Sequence, residues 1–306
     1  MRSQFTFSVF TATFNRAYCL HRAFEGLKAQ TFRDFEWIII DDGSVDNTVE
    51  LVNQWKKEVE FPITYIWQPN QGKHIAYNTA APLFRGELYT SVDSDDSVKP
   101  NWLERFKFHW DSFSAEDRKH IAGVMCMAED QHGKIIGKEF PDEGVIVDFA
   151  RYLLTHEIVG DKGGFVQTSI FQAYPFPADV KNVYVPEGYF IHAMSMQWKV
   201  KLTNEVLIIP YVDDRADHFT HELKKPKNFA GNRCGHLAFL KFSPRLFWVK
   251  PYTYLANAVY YSKLSFLLQY TLKKQFSDIG NIWGRVFWLG TFPLGYILAK
   301  TEKNNK

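Results

Sequence analysis

The sequence predicts an α/β fold: a mixed, mostly parallel sheet flanked by helices over residues 1–215, then a basic, aromatic-rich helical segment over 216–306. Three observations carry that expectation. Between residues 5 and 128 short apolar runs alternate with amphipathic stretches, the layout of βαβ units. Several of those runs end in polar turns rich in carboxylates and hydroxyls, the kind of edge at which open α/β sheets bind ligands. Charge also changes sign along the chain: residues 1–215 hold 22 Lys+Arg against 30 Asp+Glu, a net of −8, and residues 216–306 hold 14 against 4, a net of +10.

Taken in order, strands are expected at Phe5–Thr11, Glu36–Ile40, Thr64–Trp67, Leu88–Val92 and Ile121–Met127. Helical spacing falls between them, at Leu20, Ala23, Phe24 and Leu27, at Val49, Val52 and Trp55, at Ile75, Ala76 and Thr79, and at Trp102, Leu103, Phe106 and Trp110. Residues 129–147, with Gly133, Gly137, Pro141 and Gly144, read as a hairpin or loop excursion. A strand at Gly164–Ile170, a Pro-rich turn, a helix starting near Glu187 and a strand at Val206–Val212 follow. Beyond them Tyr252–Leu272 carries one charge, Lys263, and Val286–Ala299 is apolar but interrupted by Gly290, Pro293 and Gly295. Flanked by Lys and Arg, these two runs read as a helical segment lying in a membrane interface, or else as an ordinary helical subdomain.

Composition narrows the function. A formal net charge of +2 over 306 residues lacks the basic excess of a dedicated nucleic-acid binder. Cys19, Cys126 and Cys234 form no CxxC pair, which points to a reducing compartment, and the N-terminus lacks the apolar run of a signal peptide. Neither GxxxxGK[ST] nor a GxGxxG after a strand is present, so ATP hydrolysis and dinucleotide chemistry are not expected.

The strongest chemical signal is Asp93-Ser94-Asp95-Asp96, directly after one apolar strand. Three carboxylates in four residues repel one another unless a cation sits among them, and oxygen ligation suits Mg²⁺ or Mn²⁺; a solvated acidic turn is the plain alternative. Asp41-Asp42-Gly43-Ser44-Val45-Asp46 follows a second strand, where Asp42 can accept an N–H from a ligand and Ser44 or Asp46 can cap the next helix. The first strand ends in Thr11-Ala12-Thr13-Phe14-Asn15-Arg16, small polar groups with one ring able to stack a base. Without a glycine-rich loop, a diphosphate needs a metal and cations such as Lys73 or Arg16.

These stretches resemble the inverting family 2 glycosyltransferases of the GT-A (Rossmann-like) fold, over roughly residues 5–215. The resemblance rests on TATFNRA, QTFRDFEWIIIDDGSVDNT, NQGKHIAYNTA and RGELYTSVDSDD, in the family's order and spacing. It implies a nucleotide-sugar donor, with UDP as the nucleotide. By the same resemblance Phe14 stacks the uracil, Asp42 accepts from the base, Asp93 opens the DxD, and Asp95 and Asp96 contact ribose and metal. It further implies a catalytic carboxylate at a later helix start, matched here by Glu187, although the usual acidic neighbour is replaced by Gly188. In the segment Asp213–His221, which follows the last strand, His218 or His221 is a further candidate for the metal or diphosphate, and Asp161–Gly164 resembles an acceptor-side stretch.

The expectation is a Mg²⁺- or Mn²⁺-dependent inverting hexosyl transfer to a lipid-linked or cell-envelope glycan. It would proceed in the cytoplasm at the anionic inner face of the membrane, with no nucleic acid involved. A nucleotide-sugar-binding scaffold without turnover and a sugar nucleotidyltransferase are the alternatives.

Overall fold

The computed structural model describes residues 3–160, 162–212 and 226–304. The chain folds as two compact units: residues 1–147, 156–175 and 197–214 form the first, and residues 148–155, 176–196 and 215–306 the second. The tail expected as a separate segment from residue 216 thus lies wholly in the second unit, which also recruits two segments from within the α/β region.

The first unit is built on one sheet. Its strands are β1 (Phe5–Thr13), β2 (Phe35–Asp41), β3 (Ile63–Trp67), β4 (Gly86–Ser91), β5 (Ser97–Val98), β6 (Ile121–Ala128), β7 (Ile146–Val147), β8 (Lys162–Gln167) and β9 (Lys199–Ile209). They run in the order β3-β2-β1-β4-β8-β6-β9-β5, with β7 also on β9. The β3-β2-β1-β4 block is parallel, β8 enters antiparallel to both β4 and β6, and β6 pairs parallel with β9. All seven residues of β2 are buried, which explains its continuous apolar run WIII: a parallel strand covered on both faces has no solvent side on which to alternate.

Helices α1 (Ala17–Lys28), α2 (Thr48–Trp55), α3 (Lys73–Ala80) and α4 (Trp102–Asp111) fall where the periodicity places them. Helix α1 buries Leu20, Ala23, Phe24 and Leu27, an i, i+3, i+4, i+7 stripe. Phe24 stacks on Trp55 of α2 with centroids 4.4 Å apart and lies 6.4 Å from Trp37 of β2, so one ring joins two helices to the sheet. Burying a ring of this size is worth about 1.5–3 kcal/mol. Buried Glu36 is answered by Arg85, whose guanidinium reaches Oε2 at 2.5 Å and whose amide reaches Oε1 at 2.7 Å, and by the Ser8 hydroxyl at 2.7 Å.

Two boundaries depart from expectation. The run Gly164–Ile170 is strand only to Gln167; Thr168–Ala173 forms helix α6. The last strand starts at Lys199 and ends at Ile209, earlier at both ends than Val206–Val212, because Lys199–Asn204 alternates against β6 and β7. In 129–147 a short bridge joins Glu129 and Ile135, consistent with the expected hairpin excursion.

The second unit is helical: α5 (Phe149–His156, of which residues 149–155 belong here), α7 (Gly188–Met194), α8 (Phe229–Phe242), α9 (Pro251–Leu267), α10 (Leu272–Ile279) and α11 (Ile282–Asn304). Its core gathers Leu237, Leu240, Tyr254, Ala258, Tyr261, Ile279 and Trp288. Arg233, 3% exposed, bonds the Ser265 and Tyr261 hydroxyls at 2.7 and 3.0 Å and pairs with Asp278 at 2.5 Å, so the charge is buried but satisfied. The interruption expected at Pro293 does not occur, and α11 is one continuous helix.

Candidate active site

The parallel strands finish together. Thr13 lies opposite Asp41, Asp41 opposite Trp67, and Phe10 opposite Ser91, so the turns after β1, β2, β3 and β4 share one sheet edge.

The turn after β1 is locked to the turn after β2. Asn15 takes a left-handed conformation (φ 52°), which asparagine tolerates better than most residues. Its amide donates to Ser44 Oγ at 2.8 Å and its Oδ1 accepts from the Val45 amide at 2.9 Å. Asp46 accepts from the Ala17 amide at 3.0 Å and from the Thr48 hydroxyl at 2.5 Å, serving the first turns of α1 and α2 at once. Thr11 is fully buried, donates to the Val92 carbonyl and accepts from Trp37 Nε1, so its hydroxyl ties strands together. Thr13 Oγ1 is buried with no hydrogen-bond partner among the described residues, and the Phe14 ring is 44% exposed beside it in sequence.

Asp42 is buried and braces the loop after β3. Its Oδ1 accepts from Gln68 Nε2 at 2.7 Å and the Gln71 amide at 3.0 Å, and its Oδ2 from the Gly72 amide at 2.7 Å. A carboxylate has about four lone-pair sites, so one remains for a ligand N–H. Gly43 (φ 99°) and Gly72 (φ 100°) make the turns; a Cβ at Gly43 would sit 2.8 Å from the Asn70 amide nitrogen.

The acidic turn after β4 lies between cations. Lys73, at the start of α3, holds both oxygens of Asp93 at 2.8 and 2.9 Å, and Arg16 pairs with Asp95 at 2.6 Å. Ligand oxygens of Asp93, Asp95 and Asp96 all lie within 4.8 Å of one another. Burial, then repulsion from Asp93 and Asp95, push the Asp96 carboxyl up to about 8. Burial opposes ionisation of Asp93 as well, but the Lys73 ammonium, helped by Arg16, holds it below the ordinary carboxylate value. Three carboxylate oxygens gathered this closely, one of them raised by burial and by its like neighbours, form a hard donor set that fits Mg²⁺ or Mn²⁺.

Two contributors escape a sequence reading. Tyr211 donates its amide to Asp96 Oδ1 at 3.1 Å, and Arg22 bonds the Asp95 carbonyl at 3.1 Å while stacking over the Tyr211 ring at 4.1 Å. No local pattern marks either; the contacts bridge 115 and 73 positions of chain.

Glu187 is exposed at the N-terminus of α7, in the second unit, and a Cβ built on Gly188 meets no atom within 4 Å. His218, His221 and Asp161 lie outside the described residues.

Residues 8–116 match the family model described as glycosyl transferase family 2. An uncharacterized glycosyltransferase of Nostoc sp. is 38% identical over 118 residues, 39% of this chain and 35% of its own length. The GalNAc(5)-diNAcBac-PP-undecaprenol beta-1,3-glucosyltransferase of Campylobacter jejuni is 30% identical over 143 residues, 46% of this chain and 44% of its own. The chain thus spans less than half the length of each of these two curated relatives. Among solved structures, S. aureus TarS in complex with UDP-GlcNAc superposes with a TM-score of 0.62 at 13% identity, covering 98% of this chain and 92% of that one. The Pyrobaculum calidifontis mannosyltransferase in complex with GDP-Man and Mn²⁺ gives 0.56 at 15% identity, covering 98% and 87%. The matched region spans the β1, β2 and β4 turns, so residues 8–116 are similar to the family 2 glycosyltransferases, and the likeness to the solved structures shows that the chain has the GT-A fold.

Proposed function

We propose that the protein transfers a sugar, with inversion, from a UDP-sugar to a hydroxyl of a lipid-linked or cell-envelope glycan, and that it works in the cytoplasm, peripherally on the inner membrane face. The observation that carries this reading is the Asp93–Asp95–Asp96 cluster flanked by Lys73 and Arg16, on the sheet edge that also presents Phe14 and Asp42. Relatives named for undecaprenol-linked and colanic acid glycans support the acceptor class. Neighbours solved with UDP-GlcNAc and with GDP-Man and Mn²⁺ support a nucleotide-sugar donor and a metal, the first of them UDP as its nucleotide.

In this reading Phe14 stacks the base and Asp42 accepts its N–H through the lone pair that the 68–72 loop leaves open. Asp93, Asp95 and Asp96 would hold Mg²⁺ or Mn²⁺; when bound, the cation neutralises charge growing on the diphosphate leaving group. Lys73 and Arg16 exchange part of their carboxylate pairing for phosphate oxygens. Glu187 takes the proton of the acceptor hydroxyl as it attacks the anomeric carbon from the face opposite the diphosphate.

A screen of nucleotide sugars for metal-dependent release of nucleoside diphosphate tests the proposal. Glu187→Gln is expected to lower kcat about 10²–10⁴-fold with donor affinity unchanged. Pyrophosphate release would instead mark a nucleotidyltransferase. Donor binding without turnover would mark a scaffold, a reading that Gly188 in place of the second acid permits.

A further inference from the structure

Helix α11 has two unlike sides. Gly284, Trp288, Gly295 and Ala299 are buried, spaced four, seven and four residues apart on one face. There the helix is seated closely: a Cβ at Gly295 would lie 2.5 Å from the Ser262 Cβ of α9, and Glu302 pairs with Lys263 at 2.6 Å. The other side exposes Ile282 (66%), Val286 (47%), Leu289 (52%), Leu294 (51%) and Ile297 (57%), and no charged residue occurs from Val286 to Ala299. Trp248 and Tyr252 of the same unit are 80% and 87% exposed. Phe247, next to Trp248, stacks on Phe287 of α11 with centroids 4.3 Å apart. An apolar band of four helical turns left in water is uncommon without a partner.

Charge decides which partner. Residues 226–306 hold 12 Lys+Arg and 2 Asp+Glu, and both acids are already paired, Asp278 with Arg233 and Lys274, Glu302 with Lys263. Arg285, Lys300 and Lys303 bracket the apolar band. A second copy docking here would bring the same basic 226–306 segment, whose two acids are already paired, whereas an anionic lipid surface complements both the charge and the band. Exposed Trp and Tyr beside it suit the headgroup level. No described helix is long and apolar enough to cross a membrane, and α9, the longer apolar run in sequence, buries Tyr254, Ala258, Tyr261 and Leu264 within its own unit.

We propose that α11 is a monotopic anchor. It lies in the plane of an anionic leaflet with its Ile282–Ile297 face at the headgroup–acyl boundary and Trp248 and Tyr252 alongside, while α9 serves as its internal strut. The inference rests on the peripheral membrane placement proposed above and assigns that role to one surface.

The test is co-sedimentation of the full chain with vesicles of phosphatidylglycerol and phosphatidylcholine, and of phosphatidylcholine alone. Wild type is expected to sediment with the anionic vesicles, and Leu289→Asp combined with Ile297→Asp to lower the partition coefficient on the order of ten-fold or more. Both positions are exposed, so the fold is retained. Bimane on Ile297→Cys should shift to the blue on anionic vesicles while bimane on Phe108→Cys, exposed on α4, does not; Cys19, Cys126 and Cys234 are buried and do not compete for the label. If the double variant sediments like wild type, α11 is not the anchor although the membrane placement survives. If wild type ignores vesicles, both fail, and a concentration-dependent dimer broken by the double variant would give the face to a second copy.

Discussion

Burial and the neighbouring carboxylates of Asp93 and Asp95 push the Asp96 carboxyl up to about 8, and the Tyr211 amide and the Lys73 ammonium offset this only in part. The unfolded chain releases the carboxyl proton near the ordinary value of 3.8 and the folded chain only near 8, so this group destabilises the fold progressively as pH rises from about 4 to about 8. Asp96→Asn should therefore raise Tm at pH 7.5, by about 2–4 °C for each kcal/mol relieved, with the gain shrinking toward pH 5. Mn²⁺ should raise the Tm of wild type and not that of the variant. His192 behaves oppositely: burial pushes its imidazole down to about 4, its Nδ1 lies 2.9 Å from Ser243 Oγ, and its ring packs on Phe239. The unfolded chain takes up that proton near 6.5, so the helical unit should lose stability as pH falls from 6.5 toward 4, and His192→Gln should flatten that limb in a pH series of denaturation midpoints. At this scale the acidic turn was legible because one strand end supplies all three carboxylates. The bonds of the Thr11 hydroxyl were not legible, since nothing local distinguishes a hydroxyl facing a ligand from one bonded to Trp37 and Val92.

Elements were legible where a single face or a fully buried run dictated the pattern, as in α1 and β2. They were not where spacing served two structures. Phe165, Val166, Ile170 and Phe171 are all buried, and their order suits a strand or a helix equally; the switch at Thr168 is set by β8 pairing with β4 and β6 only as far as Gln167. That pairing is tight. A Cβ at Gly123 would lie 1.8 Å from the Phe165 carbonyl oxygen, a backbone atom that cannot swing aside. Gly123→Ala is expected to cost more than about 3 kcal/mol, read as a fall in the urea midpoint of the first unit, whereas Gly133→Ala, with open space but a positive φ, should cost about 1 kcal/mol. Pro293 shows the same limit from the other side. Read alone it ends a helix, yet close packing of α11 on α9 at Gly295 carries the helix through it, and the Thr291 hydroxyl bonds the Phe287 carbonyl at 2.9 Å just before the proline.

At the scale of the molecule, the sequence divides by charge near residue 215, but packing divides it differently. Residues 176–196 belong with the tail, and the contacts say why: Tyr189 meets the Phe242 ring edge-on at 5.2 Å, the Tyr184 amide donates to Asn228 at 2.7 Å, and a Cβ at Gly231 would strike the Tyr184 carbonyl. A chain cut after residue 225 would strip these partners from the segment bearing Glu187. It should aggregate on size exclusion and lose the proposed transfer activity even though every residue of the β1, β2 and β4 turns is retained. For anyone producing this protein, the obvious shortening is thus the wrong one. The tail packs on the stretch carrying the proposed base, so solubility is better sought by replacing exposed side chains of α11 than by removing the helices behind it.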